Sequence, residues 1–229
     1  MCAERTAEES RQDAIDAMGK ELGRFYHALS NELAWLYLKW GEYVVLFGAK
    51  PSRIDLINKA AGEFFRIIQD GLWEDALLHI ARLTDSPRSA GKDNLSIRGL
   101  PPLIANPELR QAVHDSVDIA LTKTEFARDW RNRHIAHKDL KLALADGAEP
   151  LKAASRAAVK EALGAIVDVL NIISKSYLDS TTMFEGLGAH RGAEALLYVL
   201  DDGLKADQER RDRLAKGELR ADDYARRDL

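Results

Sequence analysis

Apolar spacing constrains this chain more than any other feature. From Asp13 onward Ile15, Met18, Leu22, Phe25, Leu29, Leu33, Leu36 and Trp40 recur every three or four residues, which is the period of a helix and not of a strand. The pattern predicts one long helix, or two nearly collinear ones, up to Gly41 or Gly48. After a turn at Gly48, Lys50 and Pro51, it resumes from Ile54 to Leu83, with Ser52 as the expected cap and Gly71 as the expected bend. Asn106 followed by Pro107 predicts a third helix start, because the amide oxygen can accept from orphan N–H groups and proline needs no donor there. Ser155 caps a fourth, nearly all-apolar helix through Tyr177, and a last helix is expected from about Gly192.

No convincing strand separates these segments, so the expected class is all-α: an up-and-down bundle of long helices with an additional C-terminal helix. Residues 1–180 are expected to form the bundle, with a core at about 21–178, and residues 181–229 a helical extension and polar tail. Ser86 to Pro102 reads as a surface connection with a short helical turn around Leu95 to Gly99, and Ser180 to Gly188 as the best boundary within the second half. The aromatic set Trp35, Tyr37, Trp40 and Tyr43 lies at helical spacing among leucines, which favours a packed core or dimer face over a base-stacking platform.

Composition narrows the partners. A formal net charge of −4 argues against coating nucleic acid with a general basic surface, but leaves room for a local basic cleft. The single cysteine, Cys2, permits no disulfide framework, and no apolar run approaches a membrane span. These features set the expectation of a cytoplasmic protein without membrane contact. The glycine patterns of nucleotide cradles are missing, so no cofactor is expected.

The residues Arg131 to Lys141, RNRHIAHKDLK, look out of place. On a helical wheel of Ile119 to Lys138 at about 100° per residue, Ile119, Ala120, Leu121, Phe126, Ala127, Trp130 and Ile135 form a wide apolar arc. Arg131, His134 and Lys138 fall inside that arc and His137 at its edge, whereas Asp129 and Arg133 take the solvated side. Burying a guanidinium and two imidazoles costs several kcal/mol unless they are paired or line a wet cleft. The pattern therefore predicts a polar pocket or a polar interface. Between Arg128 and Lys141, Arg128, Arg131, Arg133, Lys138 and Lys141 face only Asp129 and Asp139 in charge balance, which makes the segment a basic island. His79, Arg82 and Asp85 near the end of the second helix could face a site at that helix end, though a lone histidine there is more often satisfied by a nearby acid, with Asp75 the expected partner of His79.

RNRHIAH near the end of a helix in an all-helical chain resembles the signature of the HEPN superfamily: an arginine, a polar residue, and a histidine after four to six intervening residues. Arg131, Asn132 and His137 match it with five between. LHIARLTD at Leu78 to Asp85 and GKDNLSI at Gly91 to Ile97 are similar to the abortive-infection, AbiU-type branch. The resemblance implies a homodimer whose two motifs face each other and cut RNA without a metal, acting as a toxin or phage-defence effector, with a neutralising antitoxin as a possible partner. Carried onto this chain, Arg131 would hold the scissile phosphate and His137 would be the general base or acid. Asn132 and His134 would be auxiliary, and Arg128 and Lys138 would help to hold substrate.

Six positions on a regular helix separate Arg131 from His137 by about 120°, so either the helix loosens near Ile135 or a partner surface bridges the gap. Two readings stand: a metal-independent endoribonuclease, and a non-catalytic helical dimerisation module whose Arg131 and His137 are buried in an interface. A zinc site on His134 and His137 has no third ligand in view.

Overall fold

A computed structural model describes residues 6–89, 91–186, 192–221 and 223. Cys2 and the last residues of the polar tail lie outside that set. The described residues are overwhelmingly helical: α1 (Ala7–Met18), α2 (Lys20–Phe47), α3 (Pro51–Leu83), α4 (Pro107–Lys123), α5 (Glu125–Trp130), α6 (Leu140–Ala143), α7 (Arg156–Leu178) and α8 (Ala193–Ala215). Strands β1 (Arg88–Ser89) and β2 (Lys92–Asp93) form a minimal antiparallel hairpin. No helix among the described residues is long and apolar enough to cross a membrane.

Helix starts follow local chemistry. Thr6 and Glu9 form a reciprocal capping box on α1, Asn106 accepts from the Leu109 N–H at 2.9 Å, and Ser155 accepts from the Ala158 N–H at 3.1 Å. The first long run is two helices. Gly19 separates them at φ 84°, a left-handed value that suits glycine, and a Cβ at Gly23 would collide with the Ala14 carbonyl where α1 passes close to α2.

Other boundaries depart from expectation. α3 begins at Pro51 instead of being capped by Ser52, and its kink falls at Ala61 (φ −163°, ψ 63°), not at Gly71. Beyond Lys205, where the sequence allows a solvated helix or a loose tail, the chain is helical: α8 continues to Ala215. The 86–102 connection is partly core: Ser96, Ile97, Leu100 and Pro101 are buried.

The contact-dense units are not a single cut of the chain: one comprises Met1–Trp40 and Gly71–Leu187, the other Gly41–Asp70 and Gly188–Leu229. Residues 41–70, placed by sequence within the bundle, thus group with the C-terminal segment. In the first unit Leu29, Leu33 and Leu36 of α2, Leu77 and Ile80 of α3, Val113 of α4, and Leu163, Ile166, Leu170 and Ile173 of α7 are buried. Each such side chain contributes about 1.5–3 kcal/mol on removal from water. α7 is buried along much of its length and packs against α4 and α1, the central position its sequence predicted. Trp40 and Tyr43 are buried, while Trp35 is 58% exposed, so the aromatic set is only partly core.

The second unit has its own small core of Leu46, Ile57, Phe65, Ala193 and Leu197. The Glu42 carboxylate accepts from the Ala193 N–H at the start of α8, where negative charge suits the helix dipole. Arg53 joins Glu194 at 2.9 Å and the Val45 carbonyl at 2.9 Å.

Candidate active site

The helix that carries the RNRHIAH residues is broken twice. α4 stops at Lys123, and the buried Thr124 hydroxyl donates back to the Ala120 carbonyl at 2.8 Å, competing with the helical ladder. α5 then runs for six residues, and Arg131 to Ile135 wind as a π-helical turn, with Ala136 N–H bonded to the Arg131 carbonyl at 2.9 Å. The helix loosens over the motif itself, and π-bulges of this kind concentrate at functional sites. His137 lies beyond the helix in a bend, after which Asp139 accepts from the Leu142 N–H and caps α6. That N–H holds the Asp139 carboxyl below its ordinary pKa.

The face inferred from a regular wheel is not the one that the structure buries, within α4 as well as beyond the breaks. Ile119, expected inward, is 60% exposed, and Lys138 and His137 are exposed. Asp129 and Arg133, expected outward, are instead largely covered. Arg133 reaches Asp129 at 3.4 Å, Asp139 at 3.6 Å and the Glu149 carbonyl at 2.5 Å. Trp130 Nε1 donates to the Lys152 carbonyl at 2.9 Å, Asp129 accepts from the Lys152 N–H at 2.8 Å, and Lys152 Nζ meets Glu125 at 2.5 Å. The 149–152 segment is therefore stapled along α5 and the π turn, where sequence showed only a helix break.

Arg131 is half-buried, and its guanidinium is held on two sides. Nη1 donates to Asp85 Oδ2 at 2.5 Å and Nε to Asn132 Oδ1 at 3.0 Å. Asp85 follows the end of α3, so a residue flagged in sequence as able to face a site does meet the motif arginine. Of the five guanidinium N–H groups, two are used and three remain. His134 packs its ring edge-on to Trp130, with centroids 5.4 Å apart, and lies 3.5 Å from Glu74 through Nε2 and 3.5 Å from Lys138 Nζ through Nδ1. His137 has no hydrogen bond or ion pair with any described residue.

Arg128 behaves otherwise: Nε and Nη2 are buried without a hydrogen-bond partner among the described residues, so neither nitrogen is displayed to solvent as a substrate contact would be. His79 is buried and lies 2.9 Å from Glu32, whereas Asp75, its expected partner, forms its ion pair with Lys39. Neither His79 nitrogen has hydrogen-bond geometry. Burial, aided by Lys39, pushes its pKa below the ordinary value. Among the described residues no group of three or more His, Cys, Asp or Glu could hold a metal ion.

No curated protein and no solved structure matches the chain. The family model for AbiU2, a HEPN family, matches residues 19–196, which take in α2 through α7, the Asp85 turn and the whole RNRHIAH segment. With well over half of its length matched, the chain belongs to the AbiU2 family of HEPN proteins.

Proposed function

We propose that this HEPN protein is a metal-independent endoribonuclease of toxin or phage-defence type, working as a homodimer in which two copies bring their motifs together. The observation that carries the reading is the contrast within the motif: an arginine held in place with three N–H donors that no described residue takes, and an exposed histidine, two residues beyond the π turn, without a partner among the described residues. Leu140 and Leu144, just after the motif, are 71% and 66% exposed, an apolar surface of the kind a second copy would cover.

In the reaction, Arg131 binds non-bridging oxygens of the scissile phosphate and stabilises the charge that builds there. The His137 imidazole removes the proton from the ribose 2′-hydroxyl, whose oxygen attacks phosphorus. The 5′-oxygen leaves with a proton from the imidazolium of the second copy, giving a 2′,3′-cyclic phosphate and a 5′-hydroxyl. One motif histidine per chain then suffices for both base and acid.

A second reading draws on the Asp85 contact. An arginine already paired with a carboxylate also suits a non-catalytic dimerisation module of the same fold. The test is cleavage of RNA by the purified chain in the presence of EDTA, wild type against His137→Ala. Loss of about 10²–10⁴-fold in rate, the usual contribution of a general acid–base group, is expected with an unchanged thermal midpoint. Cleavage abolished by EDTA, or unaltered in the variant, would sink the nuclease reading; no cleavage at all would leave the dimerisation module.

A further inference from the structure

We propose that Asp85 is a positioning residue for Arg131, fixing the guanidinium plane so that its free edge meets a phosphate, at the expense of some affinity for that phosphate. The inference rests on the nuclease reading for its catalytic part only. The carboxylate is well placed for this because its backbone is anchored. The buried Thr84 hydroxyl donates to the Ile80 carbonyl at 2.9 Å, and the buried Ser96 hydroxyl donates to the Asp85 carbonyl at 2.8 Å. Asn94 then ties the next residue, donating to the Ser86 carbonyl at 2.8 Å. Asp85 is thus presented from a turn bonded to buried groups, 46 positions from Arg131 in sequence.

The geometry separates holding from blocking. Asp85 takes one N–H of Nη1 and Asn132 takes Nε, and no described residue bonds Nη2, so a phosphate there would displace neither contact. Arg131 and Asp85 are both partly exposed, at 22% and 29%, so the site is open to a ligand. A fixed fork favours the transition state, because reacting geometry is lost with small misplacements. A negative charge beside the phosphate opposes binding itself. Orientation and affinity therefore move in opposite directions when Asp85 is removed, a signature that neither a folding contact nor a simple brake produces.

The test compares wild type, Asp85→Ala and Asp85→Asn by three readings: the maximal rate of RNA cleavage, affinity for a non-cleavable 2′-deoxy oligonucleotide, and the ¹⁵N signals of the Arg131 guanidinium. Asp85→Ala should bind the oligonucleotide about threefold tighter and cleave about tenfold more slowly. Its Arg131 Nη signals, split in the wild type by hindered rotation, should coalesce. Asp85→Asn, whose amide oxygen still accepts from Nη1, should recover most of the rate and keep the tighter binding. Faster cleavage in Asp85→Ala would make the carboxylate a brake, and weaker binding with slower cleavage would make it a folding contact; either overturns the proposal. If the wild type cleaves no RNA, the nuclease reading falls alone, and Asp85 is decided by the guanidinium signals and by binding: coalescence with tighter binding upholds it, and signals unchanged from wild type overturn it.

Discussion

His79 and His137 belong to the same compact unit and have opposite surroundings. His79 is 2% exposed and has charges on every side: Glu32, Lys39, Asp75 and Arg82. His137 is exposed and touches no charge among the described residues. The histidine with the most charges around it is closed to solvent, and the accessible one has no described residue to orient it. The lesson is that a cluster of titratable groups does not by itself mark a site. Access decides, and in this chain access comes with the broken helix around Arg131, not with the regular helix that carries His79.

The comparison can be broken by experiment. The largest effect expected is from His79→Ala, which empties a closed core position and leaves Glu32 beside a void. Stability in urea should fall by about 2–3 kcal/mol, while cleavage per folded molecule stays as in the wild type. A loss of cleavage without a loss of stability would move chemistry to His79.

A smaller effect is expected from pH. His79 has a folded pKa below its unfolded value, so its stabilising contribution is fully present above the unfolded pKa of about 6.5. As pH falls below that, the unfolded chain takes up a proton that the fold refuses, and stability drops by at most about 1.4 kcal/mol per pH unit. Thermal midpoints measured from pH 7.5 down to 5 should show this slope, and His79→Gln should flatten it; an unchanged slope in the variant would assign the effect elsewhere. The smallest effect belongs to the other region. Trp130→Phe removes the hydrogen bond to the Lys152 carbonyl and keeps an aromatic ring beside His134, so the staple should weaken by about 1 kcal/mol. Faster exchange of the Lys152 amide proton would record it, with the thermal midpoint barely moved.

Much of the fold was legible because its signals are local. The caps at Asn106 and Ser155 act within three residues, and the apolar period of α2, α3 and α7 needs only the helix itself. The breaks were not legible where no proline or glycine marks them. Thr124 ends α4 through a side-chain bond that an isolated threonine does not announce, and Ala61 bends α3 while Gly71 stays within the helix. The motif residues could be picked out by type and spacing, but their facing could not. A wheel assumes constant winding, and the π turn shifts everything after Arg131, which is why Lys138 and His137 emerge into solvent and Arg133 does not. Asp85 and Glu32 reach their partners across long stretches of sequence, so those pairings appear only once α2, α3 and the motif are folded together.

The π turn has a further consequence. A π turn takes up one residue more than an α turn, so Arg131 to Ile135 hold a spare residue between two anchored ends: Asp85 on the arginine and the Asp139 cap on α6. Such a segment has slack. Shortening by one position can be absorbed by rewinding into an ordinary turn, with α5 and α6 left where they are. In this chain the five residues between Arg131 and His137 can become four in that way, because the backbone there can change length while its two ends stay fixed.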